Sequence, residues 1–185
     1  MGGPQGSAGG GTPALPHDNA YWVIPGRFMA GEYPGARGEA AAREKIGRHL
    51  DAGVTFFLDL THPYELEPYE ALLQEEAAAR ELDVQYRRLP IADVSVPERR
   101  EEMVAILDAI HEALSAGHVV YVHCWGGVGR TGTVVGCHLV RGGMSGDDAL
   151  AQIARWWQTV GKRQRQPRSP ETHEQEDYVR GWRES

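Results

Sequence analysis

One stretch in the second half of the chain places a strand, a glycine-rich turn and a helix next to one another. The apolar, β-branched residues 118–122 are followed by a turn that contains Gly126, Gly127 and Gly129, and then by the buried-helix pattern of residues 133–140. A loop of this kind directs successive backbone N–H groups into one concavity at the positive end of the helix dipole. The sequence therefore predicts an anion-binding loop at residues 123–132.

A cysteine and an arginine make this loop a candidate reaction centre. The helix dipole, the loop amides and the guanidinium of Arg130 all favour the thiolate of Cys124, so we expect an ionised nucleophile at neutral pH. Arg130 presents a planar fork that matches two oxygens of a tetrahedral oxyanion, a geometry that lysine lacks. Together these groups suit attack on a phosphate.

Other interpretations of the same stretch are weaker. Residues 127–132 match the dinucleotide motif G-x-G-x-x-G, but Asp147 and Asp148 open a helical pattern where that motif expects a second strand ending in an acid. A Walker loop would need G-K-[ST], and two scattered cysteines do not supply the pairs of a zinc site. Cys124 as an inert core cysteine is the remaining alternative. A glycine-rich turn is a poor place to bury a side chain, so the catalytic interpretation is favoured.

The order of these residues resembles a known signature. His123 and Cys124, five intervening residues, Arg130 and Thr131 are similar to the H-C-x5-R-[ST] loop of the cysteine-dependent protein tyrosine and dual-specificity phosphatases, most of all to its small atypical, kinase-associated-phosphatase-like branch. The resemblance extends from about Tyr21 to Trp182. It implies that Thr131 hydrogen-bonds the departing thiolate and that His123 braces the loop. It also implies a phosphate-binding loop made of Trp125, Gly126, Gly127, Val128, Gly129 and Arg130.

The loop of residues 90–98 supplies a candidate general acid. Ser95 and Glu98 match a capping box for the helix that follows, which leaves Asp93 free for another role. Asp93 followed by Pro97 resembles the family's general-acid loop, whose aspartate protonates the leaving oxygen. Asp59, at the end of an apolar strand, is the reserve candidate for this acid.

Two segments near the C-terminal end have an open interpretation. Ser169 and Pro170 are predicted to begin the last helix, and residues 170–175 resemble a P-E-T-x-x-Q segment whose glutamine, here Gln175, orients the hydrolytic water. A surface glutamine is the alternative. The basic residues 162–168 either attract an acidic phosphorylated substrate or form an exposed connection between helices.

The rest of the chain predicts one α/β domain. Residues 1–19, rich in Gly and Pro, are expected to be a flexible tail, and residues 20–185 a single phosphatase catalytic domain. The periodicity predicts a central mixed sheet of about five strands flanked by helices on both faces, the three-layer fold that the resemblance also implies.

Composition narrows the choice of partners and compartment. A net charge of -7 argues against nucleic acid and anionic membranes as partners. Two cysteines exclude a disulfide framework, and no apolar run approaches a membrane span, so we expect a cytoplasmic protein. No metal or cofactor is required by the expected chemistry. The oligomeric state is left open.

The predicted function is phosphomonoester hydrolysis through a phosphocysteine on Cys124. The expected substrate is a phosphorylated protein or a small phosphomonoester, with phosphotyrosine and phosphoserine or phosphothreonine both open. One alternative is a phosphoinositide or inositol phosphate phosphatase, although loops for those substrates tend to contain lysine and residues 125–129 have none. The other is a phosphate-binding module without turnover. Cys137 is expected in the core, with a disulfide to Cys124 left open.

Overall fold

The computed structural model describes residues 11–185, which form a three-layer α/β domain. Five strands make one sheet in the order β1-β2-β5-β3-β4. The strands are β1 (Ala20–Ile24), β2 (Phe28–Gly31), β3 (Phe56–Asp59), β4 (Gln85–Arg88) and β5 (Val120–His123). The helices are α1 (Glu39–Asp51), α2 (Glu70–Ala79), α3 (Arg100–Ser115), α4 (Gly129–Arg141), α5 (Gly146–Trp157) and α6 (His173–Gly181), with a short 3-10 helix at Gly161–Gln164.

The sheet is mixed, as the sequence predicts. Strand β1 pairs antiparallel with β2 through a hairpin whose turn includes Gly26 at φ 73°. All other pairs are parallel, and β5 lies in the centre, between β2 and β3. His123, the last residue of β5, stands in register with Gly31 on one side and Asp59 on the other. The carboxyl ends of three parallel strands therefore meet at one edge, where ligands bind in open α/β sheets.

Alternating strand residues build a separate core on each face of the sheet. Phe28, Leu58 and Val122 point to the face covered by α3, α4, α5 and α6. Phe57 and Tyr121 point to the other face, which α1 and α2 cover. Because side chains alternate along a strand, the same short apolar runs serve both layers. The predicted arrangement of helices on both faces is confirmed.

Two predicted helix starts are wrong. Helix α3 begins at Arg100 and not behind Ser95, and the capping carboxylate is that of Glu102, which accepts the backbone N–H of Glu98 at 3.1 Å. Helix α6 begins at His173 and not at Ser169-Pro170. Its cap is Thr172, whose hydroxyl accepts the N–H of Gln175. At α6 a second acceptable cap, Thr172, lies three residues after Ser169. At α3 the N-cap position is Arg99, whose guanidinium cannot accept a hydrogen bond, so the capping contact comes from Glu102 alone.

Part of the segment predicted as a tail packs against the domain. Residues 1–10 of that segment lie outside the described residues. Within 11–19, the carbonyl of Pro13 accepts the indole N–H of Trp22 at 2.8 Å, and the Asn19 side chain accepts the N–H of Lys162 at 3.1 Å. Pro16 is buried. The contacts of the domain thus begin before residue 20.

The described helices include no membrane-spanning candidate. Within residues 11–185, no helix combines the length and the apolar character needed to cross a bilayer.

Candidate active site

The signature loop connects the central strand β5 to helix α4 and lines a cavity of about 300 Å³. The predicted nucleophile, most of the predicted phosphate loop and the predicted acid all reach this cavity. Its lining residues are Asp93, Val94, Cys124, Trp125, Gly126, Val128, Gly129, Arg130, Gln166 and Glu171. Cys124 is only 3% exposed, whereas Trp125 is 58% and Val94 52% exposed. The cysteine therefore lies deep in the cavity, and two apolar side chains reach solvent at its wall.

Four carbonyl groups of residues 124–128 are hydrogen-bonded to donors outside that segment. Cys124 O contacts Nδ1 of the His123 ring at 2.9 Å, and Trp125 O accepts the N–H of Tyr33 at 2.9 Å. Gly126 O accepts from Lys162 Nζ at 2.7 Å, and Val128 O accepts from Ser169 Oγ at 2.6 Å.

These bonds fix the direction of the loop N–H groups. In a trans peptide the carbonyl of one residue and the N–H of the next point to opposite sides. Binding the carbonyls from behind therefore turns the N–H groups of Trp125, Gly126, Gly127 and Gly129 away from those donors. Within residues 11–185, the N–H groups of 125–128 have no acceptor. The loop thus keeps a set of unused donors, as an anion site requires.

Gly127 is required by the fit of the loop against β2. Its φ is 71°, and a Cβ built at this position would lie 2.4 Å from the carbonyl carbon of Gly31. A side chain would therefore face both an unfavourable backbone conformation and a backbone clash.

His123 is buried behind the loop. Since Cys124 O can only accept, Nδ1 carries the proton, and Nε2 then accepts from Tyr69 Oη at 2.7 Å. Burial lowers the pKa of His123. These two hydrogen bonds place the ring where it supports the loop from behind, and the bracing role that the resemblance implies stays a prediction.

Arg130 is 1% exposed, and carboxylates surround its guanidinium. Nη1 contacts Glu65 Oε2 at 2.9 Å and Ile91 O at 3.1 Å. Nη2 contacts Glu65 Oε1 at 2.5 Å and Asp93 Oδ1 at 3.0 Å. Among the described residues Nε has no acceptor. The edge formed by Nε and Nη2 is the part of the fork that can receive two oxygens of a phosphate, once Asp93 releases Nη2.

Sequence reasoning missed Glu65. It lies on the loop after β3, and its two oxygens hold both terminal nitrogens of Arg130. Burial opposes ionisation of Glu65, but the hydrogen bonds from Arg130 outweigh it and lower the pKa of this carboxyl. The one available signal was an acidic residue on a loop at the carboxyl end of a parallel strand.

Asp93 lies at the cavity with a half-exposed side chain. Its Oδ1 accepts the N–H of Val94 at 2.9 Å in addition to the contact with Arg130. Val94 has a φ of 57°, a rare conformation for a β-branched residue, and strain of this type clusters at functional loops. The position fits a general acid that exchanges between Arg130 and a leaving group.

Asp59 is fully buried and its carboxylate is saturated. It accepts from Thr61 N and Oγ1 at 2.8 and 2.6 Å, from Tyr86 Oη at 2.7 Å and from Arg88 Nη2 at 3.1 Å. Burial opposes its ionisation, but the hydrogen bonds from Thr61 and Tyr86 outweigh it and lower the pKa of Asp59. These contacts give Asp59 a structural role at the end of β3.

Gln175 is completely buried and does not line the cavity. Its Oε1 accepts the N–H groups of Glu171 and Thr172 at 3.0 and 3.1 Å, and its Nε2 donates to Ser95 O at 3.1 Å. The side chain therefore ties α6 to the loop that carries Asp93. The water-orienting role stays a prediction, and these contacts favour a positioning role.

The remaining candidate residues are buried next to the loop. Thr131 Oγ1 is inaccessible and has no hydrogen-bond partner in the described part of the chain, so the expected bond to the Cys124 sulfur is not formed in this structure. Cys137 is a free thiol in the core of α4, as expected, and Cys124 is also free. Residues 11–185 contain no group of three or more His, Cys, Asp or Glu side chains arranged to hold a metal ion.

The chain matches a known protein family over most of its length. The family described as "Swiss Army Knife protein, DSP-PTPase phosphatase domain" (PTP-SAK) matches residues 17–179. This span contains every residue that lines the cavity.

Individual relatives agree with this match. The chain is 30% identical over 134 residues to the phosphatidylinositol 3,4,5-trisphosphate 3-phosphatase and protein-tyrosine-phosphatase PTEN1 of Arabidopsis thaliana, which covers 71% of this chain and 31% of that protein. The chain spans less than half the length of the curated relatives it matches.

Solved structures show the same fold. Tk-PTP in its active form is 25% identical, with a TM-score of 0.66 over 87% of this chain and 93% of that chain. Kinase associated phosphatase with a substituted catalytic cysteine is 18% identical, with a TM-score of 0.66 over 82% of this chain and 83% of that chain. The second likeness concerns the fold alone.

Proposed function

Because the chain belongs to the DSP-PTPase phosphatase domains of the Swiss Army Knife proteins, we propose that it hydrolyses phosphate monoesters through a phosphocysteine on Cys124. The observation that carries this proposal is the loop itself. Cys124 lies deep in a cavity, beside loop N–H groups that have no acceptor and beside the edge of the Arg130 guanidinium formed by Nε and Nη2. The loop carbonyls are bound from the opposite side. This arrangement matches the equatorial oxygens of a phosphoryl group during in-line transfer.

The first step is transfer of the phosphoryl group to sulfur. The substrate phosphate takes the loop N–H groups together with Nε and Nη2 of Arg130, and this displaces Asp93 from Nη2. The Cys124 thiolate attacks phosphorus, the bond between phosphorus and the ester oxygen breaks, and protonated Asp93 gives its proton to the departing alcohol or phenol.

The second step is hydrolysis of the phosphocysteine. Asp93, now ionised, takes a proton from water, the water oxygen attacks phosphorus, and the bond between phosphorus and sulfur breaks to release inorganic phosphate. The unpaired hydroxyl of Thr131 is the donor available to the departing thiolate. Glu65 keeps Arg130 in place through both steps.

The proposed substrate is a phosphorylated protein or a small phosphomonoester. Val94 and Trp125 offer apolar, solvent-exposed surface beside the buried cysteine, which suits an organic group that carries a single phosphate. Nothing between Trp125 and Gly129 adds a positive charge for further phosphates, and the nearby Lys162 is paired with Glu32.

Phosphoinositide hydrolysis is the second candidate. It is favoured by the relationship to Arabidopsis PTEN1, whose name gives both a phosphatidylinositol trisphosphate phosphatase and a protein tyrosine phosphatase.

The proposed compartment is the cytoplasm, which the two free cysteines support. The net charge of -7 supports partners other than nucleic acid or anionic membrane.

A turnover panel with a nucleophile variant tests the proposal. We expect the wild type to release phosphate from phosphopeptides and from an aryl phosphate faster than from soluble phosphoinositides. Cys124→Ser should lose turnover because the hydroxyl does not ionise at neutral pH, while it retains the fold and binding of inorganic phosphate. Cys137→Ser is the matched control, because the second thiol is buried in α4 and should leave kcat unchanged.

Two results would contradict parts of this assignment. Turnover that survives in Cys124→Ser would remove the phosphocysteine. Turnover confined to phosphoinositides would replace the proposed substrate class with the second candidate.

A further inference from the structure

Lys162 contacts the phosphate loop from behind. It belongs to the 3-10 helix Gly161–Gln164, and its Nζ donates to Gly126 O at 2.7 Å across the space between this helix and the loop. Lys162 does not line the cavity, and its side chain is only 18% exposed. The sequence offered the basic residues 162–168 as a contact for the substrate. Lys162, the first of them, is instead hydrogen-bonded to the protein itself.

Glu32 holds Lys162 in this position. The carboxylate follows β2 and accepts from Lys162 Nζ at 2.7 Å through Oε2 and from Lys45 Nζ at 2.9 Å through Oε1. Burial opposes ionisation of Glu32, but these two hydrogen bonds outweigh it and hold its pKa at about 2. The carboxylate is thus charged over the whole physiological range, and Lys162 stays at a fixed place.

The contact sets the orientation of one peptide group of the loop. Gly126 O and Gly127 N–H belong to the same peptide plane and point to opposite sides. A glycine on each side of this plane leaves the backbone free to rotate it, because neither residue carries a Cβ. The bond from Lys162 removes this freedom, and no other donor among the described residues reaches Gly126 O.

We propose that Lys162 is a positioning residue for the phosphoryl site, which aims the Gly127 N–H at the bound oxyanion by holding Gly126 O. The inference rests on the proposed function for its kinetic consequence. The charge of Lys162 also polarises the peptide, because a cation at the carbonyl oxygen draws electron density from the N–H and makes it a stronger donor. Lys162 then acts on the substrate through the backbone without touching it.

The neighbouring Arg163 provides a matched control. It lies on the same 3-10 helix and carries the same charge, but its Nη1 donates to Val160 O and it forms no hydrogen bond with the described loop. Comparing Lys162→Met with Arg163→Met therefore separates the contact with Gly126 from the loss of one positive charge. Lys162→Arg restores a cationic donor at the same place.

The experiment measures oxyanion binding separately from turnover. Inorganic phosphate is titrated into wild type and variants, its inhibition constant is measured with an aryl phosphate substrate, and the Gly127 amide is followed by ¹⁵N–¹H NMR. In Lys162→Met we expect the inhibition constant to rise and kcat/KM to fall by about tenfold, less than the loss of a whole oxyanion donor. We also expect a smaller shift of the Gly127 amide on binding. Lys162→Arg should recover both values to within about threefold, and Arg163→Met should match the wild type.

The outcomes separate this inference from the proposed function. If the wild type binds phosphate without turnover and the Gly127 shift still depends on Lys162, the inference stands and the proposed function fails. Equal inhibition constants and equal Gly127 shifts in Lys162→Met and Arg163→Met would overturn the inference. Should Lys162→Met not fold, Lys162→Gln replaces it with the same expected losses, because its amide is uncharged and one bond shorter than the lysine side chain.

Discussion

Asp59 and Asp93 carry the same functional group, and their surroundings separate their roles. Asp59 has no exposed surface, and donors from Thr61, Tyr86 and Arg88 occupy its oxygens. Asp93 is half-exposed at the cavity, and its side-chain partner there is Arg130. A proton donor must reach the leaving oxygen and exchange its proton with solvent, and of these two carboxylates Asp93 alone is placed to do both.

A general-acid role for Asp93 predicts a dependence of the rate on the leaving group. Asp93→Asn should lower kcat by ~10²–10⁴ for substrates whose leaving alcohol needs a proton. The loss should shrink for an activated aryl phosphate, because its phenolate departs unaided. The measurement is the ratio of kcat values for a phosphoserine peptide and an activated aryl phosphate.

Asp59→Asn is the matched comparison for this prediction. It should lower stability and activity together, without dependence on the leaving group, because it leaves Arg88 without its buried carboxylate partner. Equal slowing of good and poor leaving groups in Asp93→Asn, or the leaving-group signature in Asp59→Asn, would reverse the assignment.

The sequence predicted those parts of the site whose residues lie close together in the chain. The signature loop lies within residues 123–132, so its anion-binding geometry follows from the order of strand, glycines and helix. The family expected from that loop is confirmed by the match over residues 17–179. Four strands of the sheet followed from apolar runs of the right length, whereas β4 alternates exposed and half-buried residues.

What the sequence could not predict depends on contacts between distant segments. Glu65 meets Arg130 across 65 positions, and Lys162 meets Gly126 across 36. Neither pairing has a local pattern. The starts of α3 and α6 were misplaced because Ser95 and Ser169 look like caps, but their hydroxyls donate to carbonyl groups instead, to Val96 O and to Val128 O. At Ser169 this hydrogen bond joins distant segments and overrides the local capping preference.

Helix α6 is connected through Gln175 to the loop that carries Asp93. Gln175→Leu removes the acceptor of two backbone N–H groups and the donor to Ser95 O, so it should destabilise the protein by about 1–3 kcal/mol. Because Ser95 follows Asp93 on the same loop, kcat for poor leaving groups should fall more than kcat for good ones. Chemical denaturation and the same pair of substrates measure the two effects.

A cap variant separates these effects. Thr172→Ala removes the hydroxyl that accepts the Gln175 N–H but leaves the bond between Gln175 and Ser95 intact. It should lower stability by about 1 kcal/mol without changing the ratio of the two kcat values. A change in that ratio as large as in Gln175→Leu would show that α6 acts through stability alone.

For the whole molecule, buried histidines predict sensitivity to acid. Burial lowers the pKa values of four of them, to about 4 for His17 and His138. The full set is His17, His49, His123 and His138. A histidine whose pKa is lower in the folded state binds protons more readily when the chain is unfolded. The free energy of unfolding therefore decreases as the pH falls from about 6.5 to about 4. Glu32 has a pKa of about 2 in the folded protein, so below pH 4.5 the unfolded chain binds a proton there more readily and the free energy of unfolding decreases further.

His138 offers a test of this pH dependence. Its ring packs edge-on against the ring of Phe28, with 4.9 Å between the two ring centroids. Between about pH 7.5 and pH 5 it should contribute about 2 kcal/mol to the fall in the free energy of unfolding. His138→Gln should reduce this fall by that amount in urea titrations at the two pH values. An unchanged fall would show that His138 is protonated in the folded protein.

The central position of β5 has a consequence for the order of folding. Strands β1 and β2 form one local pair and β3 and β4 another, and the two pairs join only through β5, which β2 precedes by about ninety residues. Loop-closure entropy delays contacts of such sequence separation until the local units exist. The nucleophile follows the very strand that completes the sheet. A partly folded chain therefore holds no assembled phosphate pocket, and catalytic competence arises with the last step of sheet formation.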